Sequence, residues 1–156
     1  MPALLDRLVG GWQTNGILVL QSGEPFVVNT GTGAPNNVRP DLVKPVQVFP
    51  GNLDRYFSTD SFSRSFIQGG VYVRPGNFGR NVLVGPGFSR LDFSLFKNFR
   101  VTERLKIQFR AEFFNLSNTP QFLNPTGNMN SGDFGKIRST QFSSERQIQL
   151  ALRLSF

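Results

Sequence analysis

Six charged residues occupy positions where chemistry or binding could take place. Arg90, Asp92, Lys106, Arg110, Glu112 and Arg153 all fall in stretches where polar and apolar residues alternate. Asp92 and Glu112 offer the two carboxylates that general acid–base work requires. The same residues serve equally well in a solvated wall of mutually paired charges. That simpler reading is preferred, and no enzyme activity is expected. The sequence contains no His and no Cys. This excludes a Ser-His-Asp triad, thiolate chemistry, disulfides and Cys-based zinc sites, and it removes the commonest metal ligand. Gly76-Asn77-Phe78-Gly79 and Gly85-Pro86-Gly87 are Gly-rich, but neither has the strand-to-helix setting of a phosphate loop. No cofactor or metal is expected. Lys and Arg number 17 against 10 Asp and Glu, a net charge of +7, yet they are scattered from Arg7 to Arg153. Nucleic acid is therefore not an expected partner.

The elements that hold these charges follow from spacing. In residues 146–156, Ile148, Leu150, Leu152, Leu154 and Phe156 take every second place, with Gln147, Gln149, Ala151, Arg153 and Ser155 between them. Successive strand side chains point to opposite faces, so one face is apolar and the other mostly polar. A tilted strand of about 9–11 residues crosses a bilayer. Residues 89–99 repeat the pattern with Leu91, Phe93, Leu95 and Phe99 against Arg90, Asp92, Ser94 and Asn98; Phe96 and Lys97 are exceptions. Residues 105–115 set Leu105, Ile107, Phe109, Ala111 and Phe113 against Lys106, Gln108, Arg110 and Glu112. The apolar sets would face lipid, and the charged sets a lumen. Placing Asp92 opposite Arg110 and Arg90 opposite Glu112 would put opposite charges across the 89–115 hairpin.

Less regular strands are expected near 11–21 and 25–30, separated by the turn signal Ser22-Gly23-Glu24-Pro25. Long connections rich in Gly, Pro, Asn and Ser are expected near 31–87 and 116–145. Within the first, residues 54–62 could hold a helical turn and residues 70–73 a short extended piece. Residues 101–104 read as a tight turn. With the C-terminus periplasmic, the turns near 22–25 and 101–104 would lie inside and both long loops outside, as in outer-membrane barrels. The fold class is therefore all-β: antiparallel transmembrane strands, an incomplete piece of about five strands from a barrel whose smallest bacterial kinds have eight. The first nine residues lack the basic and apolar regions of a signal peptide. The expectation is that this chain is the C-terminal portion of a longer exported protein.

The runs Arg80-Asn81-Val82-Leu83-Val84-Gly85-Pro86-Gly87-Phe88 and Leu91-Asp92-Phe93-Ser94-Leu95-Phe96-Lys97-Asn98-Phe99 resemble the C-terminal barrel of Oar-like TonB-dependent transporters. So do Thr102-Glu103-Arg104-Leu105 and Gln108-Phe109-Arg110-Ala111-Glu112-Phe113-Phe114-Asn115-Leu116. Gly11-Trp12-Gln13 and Gln21-Ser22-Gly23-Glu24-Pro25-Phe26 are similar as well. The resemblance covers most of the chain and is weakest in the long loop. It implies a barrel of roughly 22 strands around an N-terminal plug, energised through the TonB complex. The chain itself carries neither plug nor TonB box, and it would be one part of an outer-membrane receptor that takes up a scarce substrate. The implied partners are outer-membrane lipid, the plug and remaining strands of the parent, the TonB complex and the barrel-assembly machinery. The resemblance also suggests that Phe156, with Leu154, Leu152 and Leu150, forms the assembly signal. The implied location is the outer membrane of a Gram-negative bacterium. The alternative is a soluble β-sandwich module binding carbohydrate or another ligand, in which the apolar faces would pack against a second layer.

Overall fold

The computed structural model describes residues 9–31, 39–64, 67–69, 71–72 and 74–156. Its main element is a four-stranded sheet of β1 (Trp12–Gln21), β2 (Phe88–Arg100), β3 (Lys106–Phe114) and β4 (Gln147–Ser155), in that spatial order. β4 has 9 residues and β2 has 13. At about 3.4 Å per residue, tilted strands of this length cover an apolar band of about 25 Å. β2–β3 and β3–β4 pair antiparallel. β1 runs beside β2, with Asn98 N donating to Gly11 O at 3.1 Å and Gly16 lying over Asp92 O and the Phe93 ring. The β2–β3 turn closes where Val101 N and Thr102 N both donate to Leu105 O, and Leu105 N donates to Thr102 Oγ1 at 3.0 Å.

The register aligns apolar with apolar. Phe93 faces Phe113, Leu95 faces Ala111 and Phe99 faces Ile107; across the next ladder Ile148 faces Phe113 and Leu152 faces Phe109. The charge-based register is not adopted. Glu112 lies opposite Ser94, and Arg110 lies opposite Phe96. The reason is local. Arg90 Nε donates to Asp92 Oδ1 along the same strand at 2.7 Å, and Asn115 N donates to that oxygen at 2.8 Å. Asp92 is thus satisfied at the end of β3, and no cross-strand charge is needed to hold it.

One face of the sheet carries Phe93, Leu95, Phe99, Ile107, Phe109, Phe113, Ile148, Leu150, Leu152 and Leu154. Leu150 and Leu152 are 68% and 71% exposed. A soluble sandwich would bury such residues, and their exposure disfavours that alternative. Among the described residues β1 and β4 each have one neighbour, so the sheet is open and all-β, an incomplete piece of a barrel.

Residues 22–88 and 121–141 form a second compact unit. Its core gathers Phe26, Val28, Tyr56, Phe57, Phe62, Phe78, Leu83 and Ile137. Phe57 is central: its ring lies 5.7 Å from Phe26, 5.8 Å from Phe62 and 5.3 Å from Phe134. The strand expected near 25–30 is reduced to Pro25–Phe26, paired with Leu83–Val84. The Ser22–Pro25 turn therefore joins no membrane hairpin. β1 neighbours β2 directly, and residues 22–87 make one long connection. Close backbone approach explains the glycines here: a Cβ on Gly23 would lie 1.8 Å from Gly85 O. Thr59–Ser61 form a single 3-10 turn within residues 54–62. Val71–Tyr72 pair with Ile67–Gln68, while Gly70 and Val73 lie outside the described residues.

Candidate functional site

The polar face of the sheet holds all six charged candidates. Arg90 and Asp92 form an ion pair near the start of β2. Glu112 sits between Ser94 on one side and Gln149 on the other. Arg110 lies opposite Phe96 with its guanidinium 4.9 Å from the ring centroid. Lys106 is flanked by Arg100 and Ser155, and Arg153 faces Gln108. The two carboxylates are diagonal neighbours rather than a facing pair. Asp92 Oδ1 already accepts from Arg90 Nε and from Asn115 N, so this oxygen serves to hold the backbone at the end of β3.

The two residues that break the alternation have partners suited to their faces. Phe96, on the polar face, is the surface against which Arg110 stacks. Lys97, on the apolar face, is 1% exposed. Its ammonium donates to Gly10 O and lies 4.9 Å from the Trp12 ring and 5.5 Å from the Phe99 ring. A cation on an apolar face is tolerated where rings and a carbonyl surround it. Its place among aromatics at the turn end of the sheet suits a membrane–water boundary.

Asn115 carries no charge, and alternation does not mark it. It ends β3 in a left-handed conformation, φ 50°, and is fully buried. Its Nδ2 donates to Thr119 O at 3.0 Å and Ser144 O at 2.6 Å, while Oδ1 accepts from Thr119 N and Ser117 Oγ. Asn tolerates this conformation better than most residues and bonds locally. Asn115 thus ties both ends of the β3–β4 connection at the rim of the sheet.

The loop unit carries a separate electrostatic framework. Arg138 donates to Asp54 Oδ1 at 2.8 Å and to Asp133 Oδ1 at 3.0 Å. The Arg138 hydrogen bond holds the Asp133 carboxyl below its ordinary value, and the same contact raises Arg138. Lys44 likewise depresses Asp60 through a side-chain hydrogen bond. Asp41, buried, accepts from both terminal nitrogens of Arg74 and from Asn77 N.

The proposed assembly-signal residues occupy the outer edge strand. Leu150, Leu152 and Leu154 lie opposite Ala111, Phe109 and Ile107, with their side chains exposed, and Phe156 is fully exposed beyond the strand end.

Comparison with known proteins bears on this arrangement. The sequence model of the family described as Outer membrane beta barrel domain matches residues 2–149. Neither a curated protein nor a solved structure matches the chain. A match of that extent shows that the chain belongs to the outer membrane beta barrel domain family, proteins of the Gram-negative outer membrane.

Proposed function

We propose that the chain is the C-terminal barrel segment of an Oar-like, TonB-dependent receptor that takes up a scarce substrate across the outer membrane. The observation that carries this reading is the meeting of motifs on which the resemblance rests. Pro25–Phe26 of the Gln21–Phe26 motif pairs with Leu83–Val84 of the Arg80–Phe88 motif, and Gly85 N donates to Glu24 O at 2.9 Å. The charged face of the sheet supports it as well, as a lumen wall against which a plug would pack. In this reading the remaining strands close the barrel, and the N-terminal part of the parent engages the TonB complex. Cross-linking the full-length parent to the C-terminal domain of TonB tests the assignment. Capture through a segment upstream of a plug is expected; a parent with no plug and no TonB contact would overturn it.

The barrel-assembly machinery is the second proposed partner. A strand edge offers unpaired backbone groups to another sheet, and an aromatic at its end favours the interface. Deleting Phe156 from the parent should lower its outer-membrane level far more than trimming one residue from the 121–141 connection. An unchanged surface level would argue against this role.

A further inference from the structure

The turn end of the polar face carries an arrangement that the uptake reading does not use. Two rows of residues run across three strands there. Asn98, Gln108 and Arg153 form one row; Arg100, Lys106 and Ser155 form the other. Together with Phe99 and Ile107 they line a cavity of about 330 Å³. That size is at the lower end of the range for small-molecule sites. Three of the lining residues are cationic and none is anionic. Arg100 and Lys106 are directly opposite in the ladder, a like-charge pairing that weakens a sheet. No carboxylate of the described chain lies within ion-pair distance of Arg100, Lys106 or Arg153. Asn98 and Gln108 are held to each other by a 3.0 Å hydrogen bond. Elsewhere on this face the cations are matched: Arg90 by Asp92, and Arg110 by the Phe96 ring.

We infer that this cavity is a binding site for a small multivalent oxyanion, a phosphate ester or a polycarboxylate. Three cationic residues from three adjacent strands line this one cavity, with Ser155 and Gln108 among the other lining residues. A ligand with several anionic oxygens would offset the Arg100–Lys106 repulsion and accept charge-assisted hydrogen bonds from all three cations. The inference rests on the sheet and its register, not on coupling to TonB.

The test uses the full-length protein purified in detergent, with its thermal midpoint followed at fixed ionic strength. Inorganic pyrophosphate and citrate are the probes, with sodium chloride as the screening control. One or both probes should raise the midpoint by about 2–4 °C where chloride does not. Which probe acts assigns the phosphate or the carboxylate source. Lys106→Gln should weaken the probe's Kd by about tenfold or more, the loss of one charge-assisted contact. The same variant should be no less stable than the parent without anion, because one like-charge contact is gone. Should Lys106→Gln fail to assemble, Arg153→Gln provides the same readout. An equal response in parent and variant, an equal response to chloride, or no response to either probe would overturn the site.

Discussion

Asn115 Nδ2 donates to Ser144 O at 2.6 Å, joining residues that stand at opposite ends of the β3–β4 connection. With its bonds to Thr119, this one buried side chain closes the base of a long loop and lets β4 return beside β3. Asn115→Ala should destabilise the protein by about 2–4 kcal/mol, from unsatisfied buried carbonyls and an unfavourable left-handed backbone. Asn115→Asp should be worse at neutral pH, since a carboxylate would then face two carbonyl oxygens. Denaturation of the detergent-solubilised protein measures both effects; equal stability of Asn115→Ala and the parent would contradict the hub role.

The β2–β3 register can be read by cross-linking. Ser94 and Glu112 lie directly opposite, whereas Asp92 and Arg110 do not. Cysteines at Ser94 and Glu112 should oxidise readily to a disulfide, since facing Cα atoms are about 4.5–5.5 Å apart. Cysteines at Asp92 and Arg110 should not. Efficient cross-linking of the second pair alone would restore the charge-based register.

The sheet was legible in the sequence because its strands alternate. Ile148, Leu150, Leu152 and Leu154 declare an exposed apolar face with no help from tertiary structure. Alternation fixes which residues share a face, but it leaves slips of any even number of residues open, and here Arg110 lies opposite Phe96, four residues from Asp92. Charge complementarity was a poor guide to the slip, because Arg90 reaches Asp92 along its own strand. The loop unit was illegible for another reason. Its paired segments are two residues long, too short for any period, and Phe26, Phe57, Phe62 and Phe78 come together from distant positions. Pro25–Phe26 read as the start of a membrane strand because its partner, Leu83–Val84, lies far along the chain. At the polar face, each charged candidate was visible in the alternation. Asn115 was not, since nothing in spacing marks a buried hub.

Phe57 and Phe142 separate core from surface within the aromatic set. Phe57 is fully buried and touches three rings, while Phe142 is 99% exposed. Phe57→Ala should cost about 3–5 kcal/mol and open the loop unit to limited proteolysis. Phe142→Ala should change stability by less than about 0.5 kcal/mol. Protease resistance of the 22–88 segment in Phe57→Ala, unchanged from the parent, would contradict a packed loop core.

The Asp133–Arg138 contact gives the loop unit a defined acid limit. Asp133 is held below its ordinary value chiefly by the Arg138 hydrogen bond, and Asp60 by its bond to Lys44. A carboxyl whose folded-state value is depressed binds its proton less readily when folded than when unfolded. Its stabilising contribution is therefore complete above the unfolded value of about 3.9 and is lost as pH falls through the lower folded value. Both groups are exposed, so the contribution is small and weakened by salt. Thr126 N donates to Lys136 O, Gly135 N to Thr126 O, and Lys136 N to Asp133 O, all at 2.9 Å, so these amides report on this turn. Their hydrogen-exchange protection factors, corrected for intrinsic rates, should stay level from pH 7 to about pH 5 and fall below about pH 4. Arg138→Gln should lower protection near neutral pH and flatten the acid fall. A parent whose protection rises as pH drops below 4, or an Arg138→Gln variant with the parent's full acid response, would remove Arg138 as the cause.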